Sequence, residues 1–213
     1  MFAAIRKMIG THISQNKNTY FILLMAFAIG VSAGAFTVNG LSSIQREELT
    51  NYFQGFLQLL DIQKVDSGEL LSISLMENVK LIAIVWVLGV SVIGIPFIFL
   101  LLSVKGFITG FCSGFIINVI GFKGILFTLF TLLPKEIIVV PCLIALGVNG
   151  INFSLKIIKS KNVKHLSKES FKASFLQYCF VTIFFSCFIF IGVLMEAYIT
   201  PVFIRMVSSL VMG

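Results

Sequence analysis

Charge is scarce in this chain of 213 residues: Asp, Glu, Lys and Arg together make up only 12% of it. A soluble domain carries about twice that share to cover its surface with polar groups. With 58% hydrophobic residues, 23 phenylalanines and a mean hydropathy of +1.03, the composition excludes a soluble globular domain and describes an integral membrane protein. Acids are the rarer sign, leaving a net charge of +7. In a soluble protein that excess would suggest nucleic acid; in a membrane protein its distribution matters more than its sum, and no nucleic acid is expected as a partner.

Chemistry-bearing patterns are equally sparse. The two histidines are far apart, and Cys112, Cys142, Cys179 and Cys187 lie inside apolar runs with no CxxC spacing. That excludes the common His/Cys metal frameworks and leaves the cysteines as small hydrophobes. There is no HExxH, Walker A or dinucleotide fingerprint, so no cofactor, no metal and no catalytic residue is expected. A literal GxSxG occurs at Gly30-Val31-Ser32-Ala33-Gly34. The nucleophile elbow needs a strand–turn–helix setting and a later acid and histidine, whereas these residues lie in an apolar run and the only later histidine, His165, stands among lysines. The start of the chain shows no small-residue cleavage site soon after its first apolar stretch and is expected to be retained.

What is present is long apolar runs. About 20 residues cross a hydrocarbon core, and five segments fit: 20–38, 81–102, 106–122, 137–155 and 173–195. The expected fold is all-α, a polytopic membrane bundle in a single domain. The second and third spans form a hairpin joined by Ser103, Val104 and Lys105, and Gly124–Leu133, followed by Pro134, is expected as a re-entrant or interfacial piece packed against protein. Basic residues set the orientation. Segment 1–19 has Arg6, Lys7 and Lys17 with no acid, and loop 156–172 carries six lysines against Glu169, so both are expected to be cytoplasmic. Loop 39–78 holds six acids and is expected outside, as is the C-terminus.

Within that outer loop Leu49, Tyr52, Phe53, Phe56, Leu57 and Leu60 share one helical face. Ser42 and Gln45 have capping-box spacing at its start. This amphipathic helix is expected either to lie on the outer leaflet or bundle, or to dock an extracytoplasmic partner. Ala26, Gly30 and Gly34 form one small-residue face, and Gly106, Gly110 and Gly114 another. Such faces let helices approach closely, within the chain or across a homodimer. At the outer boundary Glu196 follows the fifth span, Pro201 stops or kinks the helix, and Lys135, Glu136 and Lys123 are expected at the same level. A pairing of Glu196 with Lys135 or Lys123 follows.

Taken in order, GVSAG with Val38-Asn39-Gly40, Ser91-Val92-Ile93-Gly94-Ile95-Pro96, KGFITGFCSGF, Leu132-Leu133-Pro134 and Glu196-Ala197-Tyr198-Ile199-Thr200-Pro201 resemble the stage II sporulation protein M family over essentially the whole chain. The resemblance implies a non-enzymatic membrane scaffold for forespore engulfment, in the mother-cell membrane at the sporulation septum. It would act with stage II sporulation proteins D and P, enzymes that degrade peptidoglycan. It carries over no catalytic residue, although Glu196 and Pro201 match a recurring pair of positions. The competing expectation is a permease-like subunit driven by a separate ATPase. That reading would need Ser91, Thr109, Ser113, Asn118, Asn149, Asn152, Thr182 and Ser186 to converge on a midplane cavity.

Overall fold

The computed structural model describes residues 10, 13–62, 67–162 and 168–203, without the side chains of 56–57, 59–62, 160–162 and 168–170. The described chain is all helix: α1 (Lys17–Asn39), α2 (Ser43–Ile62), α3 (Ser67–Val90), α4 (Gly94–Ile120), α5 (Phe122–Thr131), α6 (Leu133–Asn162) and α7 (Lys168–Tyr198). Five segments are long and apolar enough to cross a membrane, on α1, α3, α4, α6 and α7. The protein is a multi-pass helical bundle. Helix α6 is its centre, packing against α1, α3, α4, α5 and α7. Its apolar stretch is 61% buried against 22–33% for the others, which therefore present most of their surface outward.

The second and third spans differ from the sequence expectation. The break between them falls at Ser91–Ile93, and Ser103-Val104-Lys105 lies inside one continuous 27-residue helix, α4. Pro96 sits in the first turn of α4, where its missing N–H removes no helical hydrogen bond. Gly94-Ile95-Pro96 thus starts a helix and does not interrupt one. Helix α3 correspondingly begins at Ser67, so the last part of the expected outer loop belongs to a span.

The end of α3 leaves carbonyls without helical partners. Neighbouring helices serve them: Tyr178 Oη of α7 donates to Trp86 O at 2.8 Å, and Ser154 Oγ of α6 lies 2.7 Å from Gly89 O and 3.0 Å from Ser91 O. Tyr178 is held there by its ring, stacked on Phe153 with centroids 4.7 Å apart.

Helices α1 and α4 run parallel in the closest contact of the bundle. Glycines alternate across it: a Cβ on Gly30 or Gly34 would strike the carbonyl oxygens of Ser103 or Phe107, and one on Gly106 or Gly110 those of Phe27 or Val31. Gly114 faces Ala35 with slightly more room. Ser103 Oγ donates to Ala26 O at 3.1 Å across the same seam. The Gly106–Gly110–Gly114 groove is therefore filled by α1 of the same chain and is not a free surface for a second copy.

At the far end of α4, Gly121 takes φ +67°, a left-handed turn. There α5 doubles back along α4, with Gly124 against Ile116 and Ile117 and with Phe127 and Thr131 buried, and leads directly into α6. The segment expected as re-entrant or interfacial is thus a short helix packed on protein. The α1–α4 seam yields a contrast. Gly110→Val should lower stability by about 1–3 kcal/mol, read as a drop in melting temperature in detergent. Gly55→Ala, on α2 with nothing within 4 Å of the new methyl, should leave it unchanged or slightly raised.

Candidate functional site

A layer of charge lies inside the apolar bundle. Lys105 is about 16 Å from the start of α4 and about 22 Å from its end at 1.5 Å per residue. Its Nζ meets Glu136 Oε1 of α6 at 3.0 Å, and the two side chains are only 18% and 13% exposed. The preceding residue, Lys135, pairs with Glu196 Oε1 of α7, again with both side chains mostly buried. Successive residues on a helix point about 100° apart, so Lys135 and Glu136 in the first turn of α6 address different neighbours. Together they tie α4, α6 and α7. The acid in that first turn also faces the positive end of the α6 dipole.

Lys105, expected in the turn joining the second and third spans, lies inside α4 instead, and its contact with Glu136 brings the two to one level of the bundle. A lone lysine in an apolar run looks like a boundary when only the run is visible. The doubling back of α5 delivers Glu136 to it. Glu196 does meet Lys135, while Lys123 is exposed. Each carboxylate spends one oxygen on its lysine. Among the described residues the other, Glu136 Oε2 or Glu196 Oε2, is buried without a partner, so the layer can still accept a hydrogen bond. Pro201 is buried just beyond, and α7 ends at Tyr198, ahead of the proline. Phe203 stacks on Phe130 of α5, and residues 204–213 lie outside the described chain.

Helix α2 opens on its capping box: Gln45 N donates to Ser42 Oγ at 3.3 Å and Ser42 N to Gln45 Oε1 at 3.1 Å. Phe53 anchors it, wedged edge-on against Phe115 of α4 and Phe127 of α5. Leu49 is half-buried on the same side, but Tyr52 is 80% exposed. The apolar arc is wider than the contact, so one face of the periodicity is divided between bundle and surroundings. The side chains of Phe56, Leu57 and Leu60 lie outside the described residues.

Polar groups gather at the opposite end. Asn149 Nδ2 donates to Tyr178 O at 3.1 Å, beside a cavity of about 320 Å³ that Asn16, Asn152, Lys156, Lys159 and Gln177 also line. Thr182 Oγ1 joins them, accepting from Asn149 Nδ2 at 3.4 Å, but four others do not. The hydroxyls of Thr109, Ser113 and Ser186 bond carbonyls of their own helices four residues back, and Asn118 is exposed. Ser32 of the GxSxG stretch likewise donates to Ala28 O within α1. Among the described residues no three His, Cys, Asp or Glu side chains cluster as a metal site would require.

A family model described as Stage II sporulation protein M matches residues 23–201, well over half of the chain. No curated protein and no solved structure matches it. The charge layer gives a test of its own. Glu136→Ala, which strands Lys105, should cost about 3 kcal/mol, measured by thermal unfolding in one detergent. The double replacement Lys105→Met/Glu136→Met should recover most of that loss, because two well-packed apolar side chains need no partner.

Proposed function

The chain belongs to the stage II sporulation protein M family and is thus a sporulation-related multi-pass membrane protein; from that premise we propose that it is a non-enzymatic scaffold for forespore engulfment. In this reading it sits in the mother-cell membrane at the sporulation septum, with the N-terminus cytoplasmic and the C-terminus outside. It recruits stage II sporulation proteins D and P, which degrade peptidoglycan. The family match carries the proposal.

The architecture fits such a role. Helix α2 is fastened to the bundle chiefly through Phe53 and turns Ile44, Glu47, Glu48, Asn51, Tyr52 and Gln54 outward. That exposed, acidic and partly aromatic flank is the surface we assign to the extracytoplasmic partners. The charge layer, with Glu196 and Lys135, holds α4, α6 and α7 in the arrangement from which α2 projects. The division of polar side chains between one end of the bundle and their own helix carbonyls favours this reading over a permease, whose substrate path needs them in one place.

Affinity purification of the tagged protein from sporulating cells in mild detergent, followed by mass spectrometry, tests the proposal. The two hydrolases should co-purify. Tyr52→Asp should reduce their recovery by about tenfold, the effect of losing one interfacial anchor worth 1.4 kcal/mol, while the yield of the protein itself stays unchanged. Recovery of a nucleotide-binding subunit in place of hydrolases would overturn the scaffold reading.

A further inference from the structure

Helix α3 carries two charges that no ion pair among the described residues neutralises. Glu77 and Lys80 lie about 15–20 Å from either end of α3, and both are exposed. Among the described residues, ion pairs form only between Lys105 and Glu136 and between Lys135 and Glu196. The exposed face around them is apolar in both directions: Ile73 and Met76 on one side, Ile84 and Val87 on the other, each at least half exposed. The charges therefore sit within the band the bundle presents to lipid and not at its rim. Next to Glu77, Asn78 faces Ile189 and Phe190 of α7 across the α3–α7 groove, several residues short of the end of the apolar run of α7. Lipid can cover Ile73, Met76, Ile84 and Val87, but it offers nothing to a carboxylate and an ammonium at that depth.

We propose that a second copy of this chain covers this face of α3, with Glu77 of each copy paired to Lys80 of the other. Copies inserted in the same sense in one membrane can be related by a two-fold axis along the membrane normal, and such an interface must be complementary to itself. An acid and a base three residues apart meet that requirement. Their axial offset is about 4.5 Å, within the reach of a lysine side chain between parallel neighbours, and the two-fold makes each pair twice. The surface beside them is shaped for packing: a groove of about 440 Å³ runs between α3 and α7, lined by Val79, Ile82, Ala83, Trp86, Ile183 and Ser186 among others. The glycine seam expected to join two copies is occupied by α1, so α3 takes its place as the dimer surface. The inference is independent of the partners proposed above.

The test uses two differently tagged full-length copies, co-expressed and extracted into lipid nanodiscs. Wild-type copies should capture each other. Glu77→Lys puts only lysines at the seam and Lys80→Glu only acids, so each variant should capture itself about tenfold less than wild type does. When one copy carries Glu77→Lys and the other Lys80→Glu, every contact is again attractive and capture should return toward the wild-type level, which also shows that both variants fold. Wild-type copies that fail to capture each other would overturn the proposal. So would variants that self-associate normally, or a mixed pair that does not recover.

Discussion

A lysine near the middle of an apolar 27-residue helix has to be neutralised from within the protein. Much of this fold follows from how that is done. Lys105 meets Glu136 because the chain turns at Gly121, doubles back as α5 and starts α6 partway along α4. Lys135, one residue earlier, takes Glu196 from α7. Two ion pairs from adjacent residues thus fix three spans relative to one another. In lipid there is no water to replace either partner, so the layer favours this arrangement over slipped alternatives.

The same rule governs the backbone. The break between α3 and α4 exposes carbonyls, and the side chains of Ser154 and Tyr178 reach them from α6 and α7. At the α1–α4 seam the rule acts through shape: glycines remove the side chains that would hold the helices apart, and dispersion contacts and the Ser103 hydrogen bond hold them together. Helix α2, pinned by one phenylalanine, presents a polar flank outward, while the lipid-facing side of α3 carries opposite charges suited to a second copy. A membrane protein that gathers enzymes outside and pairs with itself inside the bilayer would use these two surfaces for separate purposes.

Much of this was legible from residue order. The number of spans, the all-helical class, the amphipathic outer helix with its capping box and the small-residue faces all follow from period, length and turn chemistry, which are local. The Glu196–Lys135 pairing was foreseen as one of two choices. The position of the α3–α4 break was misread because Lys105, an interruption in hydropathy, outweighed Gly94 and Pro96, an interruption in backbone geometry. The divided face of α2 was equally hidden: periodicity shows which residues share a side but not how much of that side a neighbour covers.

By itself, then, the sequence determined that the chain enters the membrane, how many times, and which faces pack tightly, because apolar length and the absence of a Cβ act wherever the chain is placed. Only the tertiary structure decided which helix fills the Gly106–Gly110–Gly114 groove, and that Glu136 reaches Lys105. It also decided that Glu77 and Lys80 lie exposed on the surface of α3, in no ion pair among the described residues. Each of these depends on which residues distant in sequence are brought to the same depth, and that is set by the reversal at Gly121 and the packing of every span around α6.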